Sequence, residues 1–147
     1  MNFNGAIIQA RLGSKRLPNK ILKPIYKKLN SLDLIFLRLK KSKLLDKIIF
    51  AIPKDDKLLI DYLESKGYPY VWGSENNLVS RYLKAAEQFN IQKIIRITSD
   101  CPLIDSELLD KCILNSKHYE YFSNNTPPEE SDFANGSDIE IFNIDIL

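Results

Sequence analysis

The chain has 147 residues, 44% of them apolar and 27% charged, which suits one globular domain whose core needs no metal or disulfide staple. Five glycines and seven prolines exclude collagen-like and low-complexity chains, and no apolar run approaches the ~20 residues of a membrane helix. The net charge of +2 is unevenly spread: residues 1–49 carry 12 Lys/Arg against 2 Asp/Glu, residues 50–99 carry 7 against 6, and residues 100–147 carry 2 against 11.

Residues 6–10 form a short apolar run ahead of a Gly/Pro-bearing loop and read as a first buried strand. Over 31–43, Ser31 can cap a helix, and Leu32, Ile35, Phe36 and Leu39 share one face. Residues 47–52 are a second strand, stopped by Pro53. Leu58, Leu59, Tyr62 and Leu63 mark a helix that Gly67 ends. Residues 68–72 give a short third strand, and Leu78, Val79, Tyr82, Leu83, Ala86 and Phe89 give the cleanest amphipathic helix in the chain. Residues 93–98 are a fourth strand. Asp105 can cap a helix carrying Leu108, Leu109, Cys112 and Ile113. Residues 119–123 and 139–142 read as two further strands around a Pro/Glu-rich loop at 126–137. The alternation predicts an α/β fold with a mostly parallel sheet and helices on both faces. Ligands of such sheets bind beyond the carboxyl ends of the strands, near a switch in strand order.

Cys101 and Cys112 are neither a Cys-x-x-Cys pair nor half of a zinc site, and read as reduced structural thiols. His118 has no triad or metal partner in sight, so hydrolase and zinc chemistry are poor fits. The N-terminus lacks the basic region and long apolar stretch of a signal peptide, which points to a cytoplasmic protein.

The loop after the first strand reads Gln9-Ala10-Arg11-Leu12-Gly13-Ser14-Lys15-Arg16-Leu17-Pro18-Asn19-Lys20. Its backbone N–H groups can cradle phosphate oxygens, Gly13 allows close approach, and Arg11, Arg16 and Lys20 supply charge. The spacing fits neither G-x-G-x-x-G nor G-x-x-x-x-G-K-[ST]. Asp100 stands where the fourth strand gives out. A carboxylate there can bind Mg²⁺ beside substrate phosphates, or it can hydrogen-bond the turn. A basic first third and an acidic last third suit a polyphosphate held with a divalent metal better than a nucleic-acid-binding face.

These residues resemble a known family. The Ala-Arg-x-Gly-Ser-x-Arg-Leu-Pro-x-Lys string at 10–20 is similar to the signature of the sugar cytidylyltransferases, which include the CMP-Kdo and CMP-sialate synthetases. The SpsF-like branch, associated with spore-coat polysaccharide biosynthesis, also has strings similar to Gly73-Ser74-Glu75 with Arg81-Tyr82, to residues 96–105, and to the Gly-x-Asp-x-Glu-x-Phe run at 136–142. The resemblance implies a Rossmann-like nucleotide-diphospho-sugar transferase fold and transfer of CMP from CTP to a sugar, with Mg²⁺ and release of pyrophosphate. It implies that Arg11, Arg16 and Lys20 hold the triphosphate, that Ala10, Gly13 and Ser14 belong to the turn around it, and that Gly73, Ser74 and Arg81 lie near base and ribose. Arg11, Lys20 and Asp100 would be catalytic, Asp100 as the metal carboxylate, and Asp138 and Glu140 would line the sugar pocket.

Departures from the family pattern are Ser99 in place of a usual Gly, Asn77 and Ser80 at commonly acidic positions, and Tyr26-Lys27-Lys28-Leu29-Asn30 in place of a Gly-Lys-Pro segment. Family members extend well beyond this length, and their distal part brings a second metal carboxylate, much of the sugar site and the dimer contacts. Residues 1–147 are therefore expected to form a single nucleotidyltransferase domain, C-terminally truncated, from a protein that is a homodimer at full length. The alternative expectation is a non-catalytic nucleotide or nucleotide-sugar binding module. No nucleic-acid or membrane partner is expected.

Overall fold

The computed structural model describes residues 3–14, 16–125, 132–134 and 136–147. Its strands are β1 (Phe3–Gln9), β2 (Lys47–Pro53), β3 (Tyr70–Gly73), β4 (Ile91–Thr98), β5 (Tyr121–Ser123) and β6 (Glu140–Asn143). Its helices are α1 (Ser31–Leu39), α2 (Lys57–Lys66), α3 (Leu78–Phe89) and α4 (Ser106–Asn115). The strands form one sheet in the order β3-β2-β1-β4-β6-β5. β1 pairs in parallel with β2 and β4, and β2 with β3; β6 runs antiparallel to both β4 and β5. The expected mostly parallel sheet is present. The strand order turns back between β1 and β4, which places a switch point at Gln9 and Thr98.

Alternation along the strands sorts side chains into two cores. Ala6, Ile8, Phe50, Ile52, Ile95 and Ile97 face α1, α2 and α4, meeting Leu32, Ile35, Leu59, Leu63 and Leu109. Ile7, Ile49, Ala51, Val71 and Ile94 face α3, meeting Tyr82, Ala85 and Ala86. Cys101 and Cys112 are buried free thiols, as the sequence suggests. His118 is exposed in a 3-10 turn after α4.

Several boundaries differ from the sequence reading for local reasons. Asn30, not Ser31, caps α1: its side chain accepts from the Asp33 N–H, and the Asp33 carboxylate accepts from the Asn30 N–H. Ser31 instead donates its hydroxyl to the Ser99 carbonyl, tying α1 to the end of β4. Asp33 is buried and also accepts from the Tyr62 and Tyr68 hydroxyls, joining α1 to α2 and to the chain entering β3. α1 stops at Leu39 rather than at 43, because the Asp110 carboxylate draws Ser42, Lys43 N and Leu44 N toward α4. Asp105 caps α4 as expected, accepting from Leu108 N at 2.8 Å, and Gly67 ends α2 at φ 65. The loop at 126–137 lies largely outside the described residues.

The 26–30 departure carries a local cost. Lys27 sits at φ 54 in a tight turn closed by Leu29 N to Tyr26 O at 2.9 Å. A side chain in that region costs ~1–2 kcal/mol relative to glycine. Lys27→Gly is expected to raise stability by about 1 kcal/mol, read as a melting temperature about 2–4 °C higher in a circular-dichroism scan.

Candidate functional site

A cavity of about 750 Å³ opens over the switch point. The end of β1 and its following loop contribute Gln9, Ala10, Arg11, Gly13, Ser14, Arg16 and Lys20 to it; Arg81 comes from α3, and Thr98, Ser99 and Asp100 from the end of β4. Eight of the site residues expected from sequence therefore meet here: Ala10, Arg11, Gly13, Ser14, Arg16, Lys20, Arg81 and Asp100. The start of the loop is tied to β2 and to the start of α2 through its own backbone. Ala10 N donates to Ala51 O at 3.2 Å, and Leu12 N donates to the Asp56 carboxylate at 2.9 Å.

Lys20 and Asp100 are ion-paired at the cavity wall, Nζ to Oδ2 at 3.3 Å. Burial pushes the Asp100 carboxyl up, but hydrogen bonds from Thr98 and Lys20, the Lys20 charge and a backbone N–H outweigh it and hold it below the ordinary carboxylate range. Asp100 is thus an ionised oxygen donor at the cavity wall. Among the described residues no cluster of three or more His, Cys, Asp or Glu could hold a metal. A hard cation that keeps water and binds through one carboxylate plus phosphate oxygens still fits Asp100.

Arg81 is the most unusual group. It is 5% exposed, and its Nε and Nη1 are buried without a hydrogen-bond partner. Burial pushes its pKa down; Tyr82 opposes this, Arg11 adds to it and Glu75 opposes it. Buried donors are ordinarily satisfied, and an unmet one costs ~1–3 kcal/mol. Gly73 makes room for this side chain, since a Cβ there would lie 3.0 Å from Arg81 Cγ. Ser74 does not line the cavity; its hydroxyl accepts from Asn77 N at 3.2 Å, and the next residue, Glu75, reaches the cavity instead.

Asp138 and Glu140 lie outside the cavity lining. Asp138 accepts from the Asn125 side-chain amide at 2.5 Å, and Glu140 is ion-paired with Arg96. Sequence reasoning did not single out Gln9, Ile21, Leu78 or Thr98 as lining residues. Gln9 abuts the first motif and could have been included with it.

An α/β sheet with four cations and two carboxylates, Glu75 and Asp100, gathered over its switch point is suited to a phosphate-bearing ligand such as a nucleotide. The cytidylyltransferase family model matches residues 5–134, and the chain belongs to that family. It is 36% identical over 126 residues to the spore coat polysaccharide biosynthesis protein SpsF of Bacillus subtilis, covering 82% of this chain and 51% of the relative. It is 34% identical over 115 residues to 3-deoxy-manno-octulosonate cytidylyltransferase of Chloroherpeton thalassium, covering 74% of this chain and 44% of that one. The solved structure of a cytidylyltransferase from Leptospira borgpetersenii superposes with a TM-score of 0.87 at 36% identity, over 99% of this chain and 62% of that chain. The chain spans about half the length of the curated relatives it matches. Among the described residues, no helix is long and apolar enough to cross a membrane.

Proposed function

We propose that this domain carries the nucleotide site of an enzyme that transfers CMP from CTP to a sugar, releasing pyrophosphate, in surface polysaccharide or glycan synthesis. The observation that carries this reading is the cavity itself, where Arg11, Arg16, Lys20 and the unpartnered Arg81 converge opposite Asp100. The names of its relatives, one in polysaccharide biosynthesis and one a sugar-acid cytidylyltransferase, support a sugar as acceptor.

A sugar oxygen attacks the α-phosphorus in line; the new P–O bond forms as the bond to pyrophosphate breaks, and the hydroxyl proton leaves to solvent. Positioning and charge neutralisation supply the catalysis. Arg11 and Arg16 clamp phosphate oxygens through planar forks, and Lys20 adds a point charge on the leaving pyrophosphate. Gly13 offers its backbone N–H to the same oxygens, while the Ala10 N–H is engaged by Ala51 O and holds the start of the turn against β2. Asp100 would hold Mg²⁺, which supplies charge neutralisation on the phosphates when bound. Arg81 lines the cavity with its guanidinium, whose Nη2 is not among the buried unpartnered nitrogens and can donate to acceptors on the ligand. Cytosine offers both O2 and N3 as acceptors, whereas N3 of uracil carries a hydrogen, so Arg81 favours the cytosine edge.

Pyrophosphate release from CTP, with ATP, GTP and UTP as controls and a panel of neutral and acidic sugars, tests the reading directly. CTP affinity by calorimetry tests the loop. Arg11→Ala removes charge-assisted bonds of ~1.5–3 kcal/mol and is expected to weaken CTP roughly 10- to 100-fold. Unchanged affinity in a folded Arg11→Ala protein removes the loop from the phosphate site.

A further inference from the structure

Glu140 never reaches the cavity, yet two hydrogen-bonded steps join it to the cavity wall. The β4–β6 register sets Glu140 opposite Arg96, and the two are ion-paired through Arg96 Nη1. Arg96 Nε donates to Gln9 Oε1 at 3.1 Å, and the Tyr82 hydroxyl donates to the same oxygen at 3.0 Å. Burial pushes the Tyr82 pKa well above its ordinary value, so this hydroxyl keeps its proton. A guanidinium can only donate, so the atom it meets is the amide oxygen, and the Gln9 side chain is fixed one way round. Its –NH₂ is then the end left over. Among the described residues no acceptor takes a bond from it, and Gln9 is a cavity-lining residue.

The cavity's cations match phosphate charge. An uncharged amide donor matches an uncharged oxygen. We propose that Gln9 donates a hydrogen bond to a sugar hydroxyl bound in the cavity, on the ribose of the nucleotide or on the acceptor ring, and that Tyr82 and Arg96, the latter braced by Glu140, are positioning residues for its amide. This rests on the cytidylyltransferase reading. It gives Glu140 a role without contact to the sugar: its charge orients Arg96, and Arg96 orients Gln9.

The experiment compares Gln9→Met, Arg96→Lys and Glu140→Gln, singly and with Arg96→Lys and Glu140→Gln each placed on Gln9→Met. Glu140→Gln keeps an acceptor for Arg96 and so guards against loss of the fold, which thermal scans check for every variant. Calorimetry uses CTP and 2′,3′-dideoxy-CTP, and pyrophosphate release uses the sugar panel. If the oxygen is on the ribose, Gln9→Met weakens CTP about 3- to 10-fold and leaves dideoxy-CTP unchanged. If it is on the acceptor, both nucleotide affinities hold and the KM for the sugar rises by a similar factor. In either case Arg96→Lys and Glu140→Gln move the same quantity in the unaltered protein and have no effect once Gln9 is Met. Additive effects, or a Gln9→Met protein that matches the unaltered one in all three quantities, overturn the proposal. A chain that binds neither nucleotide overturns the cytidylyltransferase reading, and the proposal falls with it; that result is distinct from normal CTP binding by Gln9→Met.

Discussion

Asp100→Asn is expected to lower pyrophosphate release at least ~100-fold, because metal charge neutralisation of a reacting phosphate is worth several kcal/mol. Asparagine keeps the shape and loses the charge. CTP affinity without metal should stay level or rise, since a carboxylate facing the phosphates is gone. The fold should hold: the Asp100 side chain is 57% exposed, and an ion pair as open as that with Lys20 contributes little stability. Its lowered pKa sets the pH window. The charged form is present throughout the range above the ordinary carboxylate value, and the Lys20 contact is lost only as pH falls through the depressed one. Turnover that survives Asp100→Asn alongside a lower melting temperature would assign Asp100 to the turn instead.

Arg81→Met is expected to move binding and stability in opposite directions. Methionine fills the space of the buried stem and removes two donors that have no partner. Relieving them should stabilise the unliganded protein by ~1–3 kcal/mol, a rise of several degrees in melting temperature. The same change should weaken CTP roughly 10- to 100-fold and erase preference for CTP over UTP, because the group that favours acceptor atoms is gone. Calorimetry with both nucleotides and a thermal scan suffice. A destabilised Arg81→Met protein with unchanged CTP affinity would make Arg81 a packing residue.

The features legible in the sequence are those written locally. The apolar face of α3, the Asp105 cap and the cation-rich loop each depend on residues a few positions apart, and all three stand in the structure. Features set by pairing across the sheet were not legible. Nothing near residue 140 encodes that β6 runs antiparallel to β4, and that direction and register bring Glu140 to Arg96. Likewise Asp33 looks like a surface carboxylate until α2 and the chain entering β3 supply two tyrosine hydroxyls. Arg81 could be placed by motif, but its lack of partners is a property of the packed helix and of the space left at Gly73.

The central position of β1 has a consequence for synthesis on the ribosome. β1 leaves first, yet its neighbour β4 is made about ninety residues later, an interval of roughly 5–20 s at ~5–20 residues per second. Through that interval the apolar strand 3–9 can pair on one side only, with β2. The ends of these same strands line two sides of the cavity, so the site is incomplete in the nascent chain until Asp100 emerges. The nascent chain therefore carries one edge of β1 unpaired until β4 emerges, an interval in which chaperone capture or self-association competes with folding.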